Sequence, residues 1–133
     1  MNEADVRDFY AAIGRRDFER VAAFLAEDVL LVFPGRRLGA QIEGQAAAVE
    51  FWQEFEARFL DGLTFHIDWV GIVDERIVVQ WNSEGRTQAQ REYANQGVTV
   101  MTMRGGLIRR LDVYLDTEVI TDTWPLEAAQ GQS

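Results

Sequence analysis

The spacing of the apolar residues changes once along this chain, close to Asp61-Gly62. Upstream of that point apolar residues recur every three or four positions, as on one face of a helix. Downstream they alternate with polar residues, as on a half-buried strand. Helices that precede a run of antiparallel strands are typical of an α+β domain, in which the sheet buries one face against the helices. The change of period therefore predicts the α+β class.

Two helices are predicted at the start of the chain. Residues 3–14 carry apolar side chains at helical spacing, with Asn2 as the expected N-cap and Gly14 near the end. Asp17 is the expected N-cap of a second, shorter helix. Both helices are amphipathic, so each is expected to pack one face on the core.

A short strand and a third helix are predicted next. Residues 29–33 form an apolar run that Pro34-Gly35 ends, and a loop is expected over 35–44. Residues 45–60 are helix formers throughout and end the helical half of the chain. Their broad apolar face comprises Val49, Phe51, Trp52, Phe55 and Phe59.

Four half-buried strands are predicted in the second half, and they are expected to form a strongly curved, mostly antiparallel sheet. They cover residues 63–69, 77–82, 91–103 and 107–118. A β-bulge near Gln96-Gly97 would shift the phase of the third of them. Three N-terminal helices packed on such a sheet form a cone-shaped α+β barrel. Residues 1–122 are expected to be one domain, and 123–133 a loose polar tail.

Composition excludes several classes of function. The formal net charge of −9 and the pI near 4.5 disfavour binding to nucleic acid or to an anionic membrane surface. With no cysteine and only His66 as histidine, neither disulfides nor cysteine- or polyhistidine-type metal sites are expected. The N-terminus does not resemble a signal peptide, and no run of about 18 apolar residues occurs. A cytoplasmic protein without metal or cofactor is therefore expected.

The segment LDVYLDT near the end of the sheet raises the question of an acid/base site. On a strand, alternate side chains share a face, which separates Leu111, Val113 and Leu115 from Asp112, Tyr114 and Asp116. Burying unpaired carboxylates is costly, so the aliphatic set should face the interior and the acidic set the outside. The same reasoning places His66 outside with Asp68, although a His/Asp pair could also act as a general base.

The interior is then predicted to be apolar and aromatic. It is either a plain filled core or a cavity for a small molecule, since a cone of this kind is difficult to fill with side chains. The candidate ligand-binding residues are Tyr10, Phe33, Trp52, Phe55, Trp69, Trp81, Thr99, Val113 and Leu115.

Several segments carry a family resemblance: GRRDFERVAAFLAEDVLLVFPG, EGQAAAVEFWQEF, VVQWNSEG and REYANQGVTVMTMRGGLIRRLDVYLDT. Over about residues 5–118 the chain resembles the SnoaL-like branch of the nuclear-transport-factor-2-like superfamily. That superfamily includes ketosteroid isomerase, limonene epoxide hydrolase, scytalone dehydratase and polyketide cyclases. The resemblance implies the cone-shaped fold more firmly than any one activity.

The catalytic positions of these relatives are not retained. By the resemblance, the general-base aspartate of ketosteroid isomerase falls on Phe33, and its oxyanion-hole aspartate falls near Thr99. Its helix-1 tyrosine falls on Phe9, next to Tyr10. The water-orienting Tyr and Asn of limonene epoxide hydrolase fall on Leu31 and Phe33. Its last-strand acid falls on Val113, and its Arg-x-Asp falls near 80–83.

Three functions remain open from the sequence. The first is a binding protein for a small hydrophobic or cyclic molecule. The second is an isomerase, cyclase or dehydratase acting on a small cyclic ketone or polyketide-like substrate, with His66, Asp112 or Tyr93 as catalytic candidates that a bulge would turn inward. The third is a non-catalytic dimerisation module. A homodimer through the outer sheet face is expected in any of these cases.

Overall fold

The computed structural model describes residues 1–33, 35 and 39–124. The helices are α1 (Glu3–Gly14), α2 (Phe18–Ala23), α3 (Gln45–Glu56) and α4 (Thr117–Thr123). The strands are β1 (Leu25–Phe33), β2 (Ala40–Glu43), β3 (Thr64–Val73), β4 (Arg76–Arg86), β5 (Glu92–Arg104) and β6 (Leu107–Leu115).

The two predicted N-caps are confirmed. The Asn2 side chain accepts a hydrogen bond from Asp5 N, and the Asp5 carboxylate accepts one from Asn2 N, which makes a reciprocal capping box at the start of α1. The Asp17 side chain accepts from Arg20 N and begins α2. Both caps satisfy main-chain N–H groups that have no partner within the helix.

Six strands form one sheet in the order β2-β1-β6-β5-β4-β3. Only the β1–β6 pair is parallel among the described strands, and the other pairs are antiparallel. Helices α1 and α3 pack on the inner face of this curved sheet. The predicted α+β cone with a mostly antiparallel sheet is therefore confirmed.

Three stretches differ from the sequence-based prediction. The expected loop over 35–44 contains β2, which pairs with the end of β1. The last strand ends at Leu115 and not at Glu118, because the Asp116 side chain accepts from Glu118 N and begins α4. Of the predicted loose tail, Thr123 is the last residue of α4 and Trp124 is its C-cap. The rest of the tail, 125–133, lies outside the described residues, as does Pro34.

The core lies between α1, α3 and the concave face of the sheet. Phe9 is buried at its centre and meets Tyr10, Phe24 and Trp52 edge to face, at centroid distances of 5.4, 5.6 and 5.8 Å. Burying a phenylalanine side chain of this kind contributes roughly 2–3 kcal/mol to stability. These contacts fix α1 and α3 relative to each other, and therefore fix the side chains that both helices present to the interior.

Strand phase was predicted correctly for β5 and β6 and wrongly for part of β3. The register of β5 against β4 is continuous through Gln96 and Gly97, so the bulge suggested there is absent. The register of β3 against β4 shifts between Ile67 and Trp69 instead. This shift reverses the alternation beyond Ile67, so that Trp69 lies on the outer face, 55% exposed.

Among residues 1–33 and 39–124, none of the helices has the length and hydropathy that a membrane-spanning segment needs.

Candidate functional site

A cavity of about 260 Å³ lies between α1, α3 and the concave sheet face. Eight of the nine predicted ligand-binding residues line it: Tyr10, Phe33, Trp52, Phe55, Trp81, Thr99, Val113 and Leu115. Most of its wall is aromatic or aliphatic, which suits a small apolar ligand. Whether these residues bind a ligand remains a prediction, but their shared position on one cavity wall is a structural fact.

Thr99 is the centre of a buried polar cluster at this wall. Its side-chain oxygen accepts one hydrogen bond from the Tyr10 hydroxyl at 2.7 Å and another from the Trp81 indole N–H at 2.9 Å. The residue is only 1% exposed. Strand β5 brings Thr99 inward, the directly neighbouring β4 brings Trp81, and α1 brings Tyr10. Three separate elements therefore converge on one oxygen.

Counting hydrogens shows that this cluster retains one free donor. The Trp81 N–H must donate to Thr99, and a single hydrogen lies between the Tyr10 and Thr99 hydroxyls. With Tyr10 as the donor of that bond, the Thr99 hydroxyl keeps its own hydrogen, which has no acceptor among the described residues. Burial raises the pKa of Tyr10 well above its ordinary value, so its phenol stays protonated. The cluster can thus donate one hydrogen bond to an oxygen in the cavity.

Glu56, near the end of α3, is the one carboxyl group among the described lining residues. It is 0% exposed, and its Oε2 accepts a hydrogen bond from Leu63 N at 2.9 Å. Its Oε1 is buried and has no hydrogen-bond partner among the described residues. A buried carboxyl oxygen without a partner is uncommon in folded proteins, because desolvation of such an atom is costly.

Burial raises the pKa of Glu56 to about 7, while the Leu63 N–H bond and the nearby Arg16 charge act in the opposite direction. Arg16 itself donates to the main-chain carbonyls of Glu56 and Phe59, at 3.0 and 2.6 Å, and so holds the chain where α3 ends. A carboxyl with a pKa near 7 exchanges protons readily at neutral pH, as a general acid or base must.

Tyr93 adds a second phenol to the cavity wall. It is 4% exposed, and its hydroxyl oxygen accepts a hydrogen bond from Asn95 Nδ2 at 3.1 Å. Burial raises the pKa of Tyr93 to about 12, with the Asn95 bond opposing and the Asp116 charge reinforcing the shift. The phenol is therefore neutral at ordinary pH and serves as a hydrogen-bond donor rather than a base.

Trp124 forms the wall near Tyr93, immediately after α4. Its ring lies 5.6 Å from Tyr93, 5.8 Å from Phe59 and 6.0 Å from Phe55, measured between ring centroids. The Arg58 guanidinium lies 5.2 Å from the same ring. The helix α4 thus closes one side of the cavity with an indole.

Several sequence-predicted residues lie away from the cavity. Trp69 is on the outer face because of the β3 register shift, so its prediction as a cavity residue is wrong. His66 is exposed, with its Nε2 3.1 Å from Glu84 Oε1. Asp112 pairs with the Arg110 guanidinium at 2.9 and 3.0 Å. Of the three catalytic candidates predicted from the sequence, only Tyr93 lies at the cavity.

The outer sheet face carries the exposed Trp69 and Tyr114, at 55% and 54%. The predicted homodimer through this face stays a prediction. In the described part of the chain no group of three His, Asp or Glu side chains is close enough to hold a metal ion.

Glu56 and Trp124 line the cavity but were not among the residues predicted from the sequence. Glu56 lies four residues after Trp52 and three before Phe59, which puts a carboxyl in the middle of the apolar stripe of α3. That interruption was the available signal. Trp124 was grouped with the polar tail, and only the unexpected helix α4 brings it to the cavity.

The SnoaL-like domain model matches residues 6–111 of this chain. A nuclear-transport-factor-2-like protein of unknown function from Burkholderia pseudomallei superposes with a TM-score of 0.79 at 24% identity, over 90% of this chain and 93% of that one. TerC, crystallised with polyporic acid, superposes with a TM-score of 0.78 at 23% identity, over 90% of this chain and 94% of that one.

An LEH-like epoxide hydrolase from M. tuberculosis gives a TM-score of 0.75 at 18% identity, over 90% of this chain and 85% of that one. Comparison with curated proteins gave no significant match. Identities this low establish a shared fold and leave the activity open. Since the family match covers most of the sequence, the chain belongs to the SnoaL-like domain family.

Proposed function

We propose that this protein is an acid/base enzyme that binds a small, largely apolar cyclic ketone and moves a proton at the carbon next to its carbonyl group. The observation that carries the proposal is Glu56: a fully buried carboxyl in the cavity wall whose Oε1 has no hydrogen-bond partner among the described residues. An apolar cavity with a titratable carboxyl is what proton abstraction requires.

The chemistry divides between two groups on the wall. The Glu56 carboxylate takes the proton from the carbon, so that the C–H bond breaks and an O–H bond forms on the carboxyl. The electron pair moves onto the carbonyl oxygen, and the free hydroxyl hydrogen of the Tyr10–Thr99 pair stabilises the resulting enolate. In an unsaturated ketone, return of the proton to the γ-carbon gives isomerisation. Attack of the enolate carbon on a second carbonyl of the substrate forms a C–C bond and closes a ring, and the Glu56 carboxyl then returns its proton to the new alkoxide.

The aromatic wall supports the binding step. Phe55, Trp52 and Trp81 offer flat apolar surfaces to a ring system, and desolvation in the cavity strengthens the hydrogen bond to the carbonyl. A plain binding protein would have no need for a buried carboxyl with a raised pKa. A dimerisation module would have no need for the cavity.

Exchange of the α-hydrogens of 2-tetralone in D₂O, followed by proton NMR, tests the proposal. Wild type should accelerate exchange over buffer, and Glu56→Gln should lower that acceleration by about a hundredfold or more, as expected for loss of a general base. Because the carboxylate is the active form, the rate should rise with pH through about 7 and then level off. Glu54→Gln, on the exposed side of the same helix, is the matched control.

Equal exchange rates for wild type and Glu56→Gln would refute the proposal, as would wild-type exchange no faster than in buffer alone.

A separate measurement tests the binding step by itself. Trp81→Ala should abolish uptake of a hydrophobic probe, while His66→Gln and Asp116→Asn should leave it unchanged, because neither residue lines the cavity. Uptake that survives Trp81→Ala would place the ligand elsewhere.

A further inference from the structure

Tyr93, whose hydroxyl is hydrogen-bonded to Asn95, forms a second polar point on the cavity wall, separate from the Thr99 cluster. Both residues are on β5 and face inward with Thr99, since side chains two residues apart on a strand share a face. The proton-transfer chemistry described above uses neither of them. Their hydrogen bonds nevertheless leave little freedom in how they are arranged.

The orientation of the Asn95 amide is fixed by its partners. Its Oδ1 accepts hydrogen bonds from Gln96 N at 2.8 Å and from Asp116 N at 3.2 Å. Only an oxygen can accept hydrogen bonds from two main-chain N–H groups, so the amide atom that faces them is Oδ1 and the remaining atom is Nδ2. That Nδ2 donates to Asp116 O at 3.2 Å and to the Tyr93 hydroxyl at 3.1 Å.

The direction of the Tyr93 hydroxyl follows from this assignment. Because the Asn95 nitrogen can only donate, the Tyr93 oxygen must be the acceptor, and the phenolic hydrogen has to point elsewhere. The described residues offer that hydrogen no acceptor. Since Tyr93 lines the cavity, a ligand oxygen is the partner that would satisfy it.

The two donors lie well apart. Asn95 and Thr99 are four residues apart on β5, so the main-chain positions that carry the two donor groups are about 13 Å apart along the strand. The cavity therefore offers one hydroxyl hydrogen near Thr99 and a second near Asn95, with aromatic side chains between them. A compact ligand with a single oxygen could satisfy only one of these donors.

We propose that Tyr93 is a specificity-determining residue, positioned by Asn95, that recognises a second oxygen acceptor on the ligand. The ligand class is then an elongated molecule of two or more fused rings with an oxygen function at each end. This deepens the proposed function, since it rests on the same cavity taking a cyclic ketone. It depends on binding alone and makes no use of Glu56.

The test compares two probes of nearly equal shape, 6-methoxy-2-acetylnaphthalene and 6-ethyl-2-acetylnaphthalene, by isothermal titration calorimetry. Only the methoxy probe has an acceptor at its far end. Wild type should bind the methoxy probe about fivefold more tightly, the size of one neutral hydrogen bond. Tyr93→Phe should bring the ratio of the two affinities close to one.

Asn95→Asp tests the positioning role. An aspartate at this place would still accept the two main-chain N–H bonds, but it would also accept the phenolic hydrogen and withdraw it from the ligand. In Asn95→Asp, the ratio of the affinities for the methoxy and ethyl probes should therefore also fall towards one, even though Tyr93 is intact. Tyr114→Phe, which removes an exposed phenol on the outer face, should keep the wild-type ratio.

A ratio near fivefold that persists in Tyr93→Phe would overturn the inference, as would a wild-type ratio of one or no binding of either probe. Thr99→Val should weaken both probes alike, because each carries the ketone. Glu56→Gln should keep the affinity ratio while losing 2-tetralone exchange. Failure of the proton-transfer proposal is therefore distinguishable from failure of this one.

Discussion

The two carboxyl oxygens of Glu56 have different environments: Oε2 accepts the main-chain N–H of Leu63 at 2.9 Å, whereas Oε1 is buried without a partner among the described residues. The bond from Leu63 fixes the rotamer, and the free oxygen is where the proton resides in the acid form. This asymmetry makes Glu56 both a structural link between α3 and the start of β3 and a candidate base.

Stability should fall as pH rises through the titration of Glu56. Its pKa is about 7 in the folded protein against 4.5 in the unfolded chain, so the folded state holds the proton more tightly. The stabilisation is fully present below pH 4.5 and is lost as pH rises to about 7, by about 3 kcal/mol in total. Urea unfolding at several pH values between 4 and 8 measures this.

Glu56→Gln removes the titrating group and keeps an acceptor for the Leu63 N–H. Its unfolding free energy should vary less between pH 5 and 8 than that of wild type, and at pH 8 the variant should be the more stable protein. Glu54→Gln should follow the wild-type curve. Parallel curves for wild type and Glu56→Gln would contradict the assignment.

Thr99→Val should be much more destabilising than Thr99→Ser. Valine has nearly the same shape but leaves both the Tyr10 hydroxyl and the Trp81 N–H buried without their acceptor. Each unsatisfied buried donor costs about 1–3 kcal/mol, so the loss should be about 2–6 kcal/mol. Serine keeps the oxygen and should lose far less. Chemical denaturation of wild type and the two variants measures these losses in unfolding free energy. Similar losses for valine and serine would contradict the two hydrogen bonds to Thr99.

Trp124→Ala should open the cavity without unfolding the protein. Trp124 is only partly buried at the edge of the core, so the core beneath it is kept, but the indole that packs on Phe55, Phe59 and Tyr93 is removed. Ligand affinity should fall about tenfold, the order expected for losing several aromatic contacts. The measurement is calorimetric titration with 6-methoxy-2-acetylnaphthalene alongside thermal unfolding. An unchanged affinity would show that α4 does not form the ligand-binding wall.

Gly97→Ala should disturb Trp81. These residues are direct partners across β4 and β5, and a Cβ at Gly97 would lie 2.6 Å from the indole Cζ2 and 2.4 Å from the Tyr114 carbonyl oxygen. The indole and the neighbouring backbone must then shift, which disturbs the Trp81–Thr99 hydrogen bond and costs about 1–3 kcal/mol from overpacking. A shift of tryptophan fluorescence together with a lower unfolding free energy is expected. Gly105→Ala cannot serve as the control, because the Gly105 backbone has a φ of 60°, a left-handed conformation in which alanine itself is strained.

Local patterns in the sequence were sufficient for most of the fold. The capping side chains of Asn2 and Asp17, the apolar spacing of α1 and α3, and the alternation along β5 and β6 are properties of neighbouring residues. They hold whatever the rest of the chain does, because capping and amphipathicity act over one turn or one pleat. The inward phase of Thr99 and Val113 was predictable for the same reason.

The tertiary structure decided what the sequence could not. The β3 bulge that turns Trp69 outward depends on its pairing with β4, and α4 brings Trp124 to the cavity only because the sheet ends where it does. Above all, the raised pKa of Glu56 arises from desolvation by burial in the folded protein. The sequence by itself determined the cone and its apolar lining through local periodicity. Only long-range packing determined which carboxyl group lies inside it, since burial is a property of the assembled molecule.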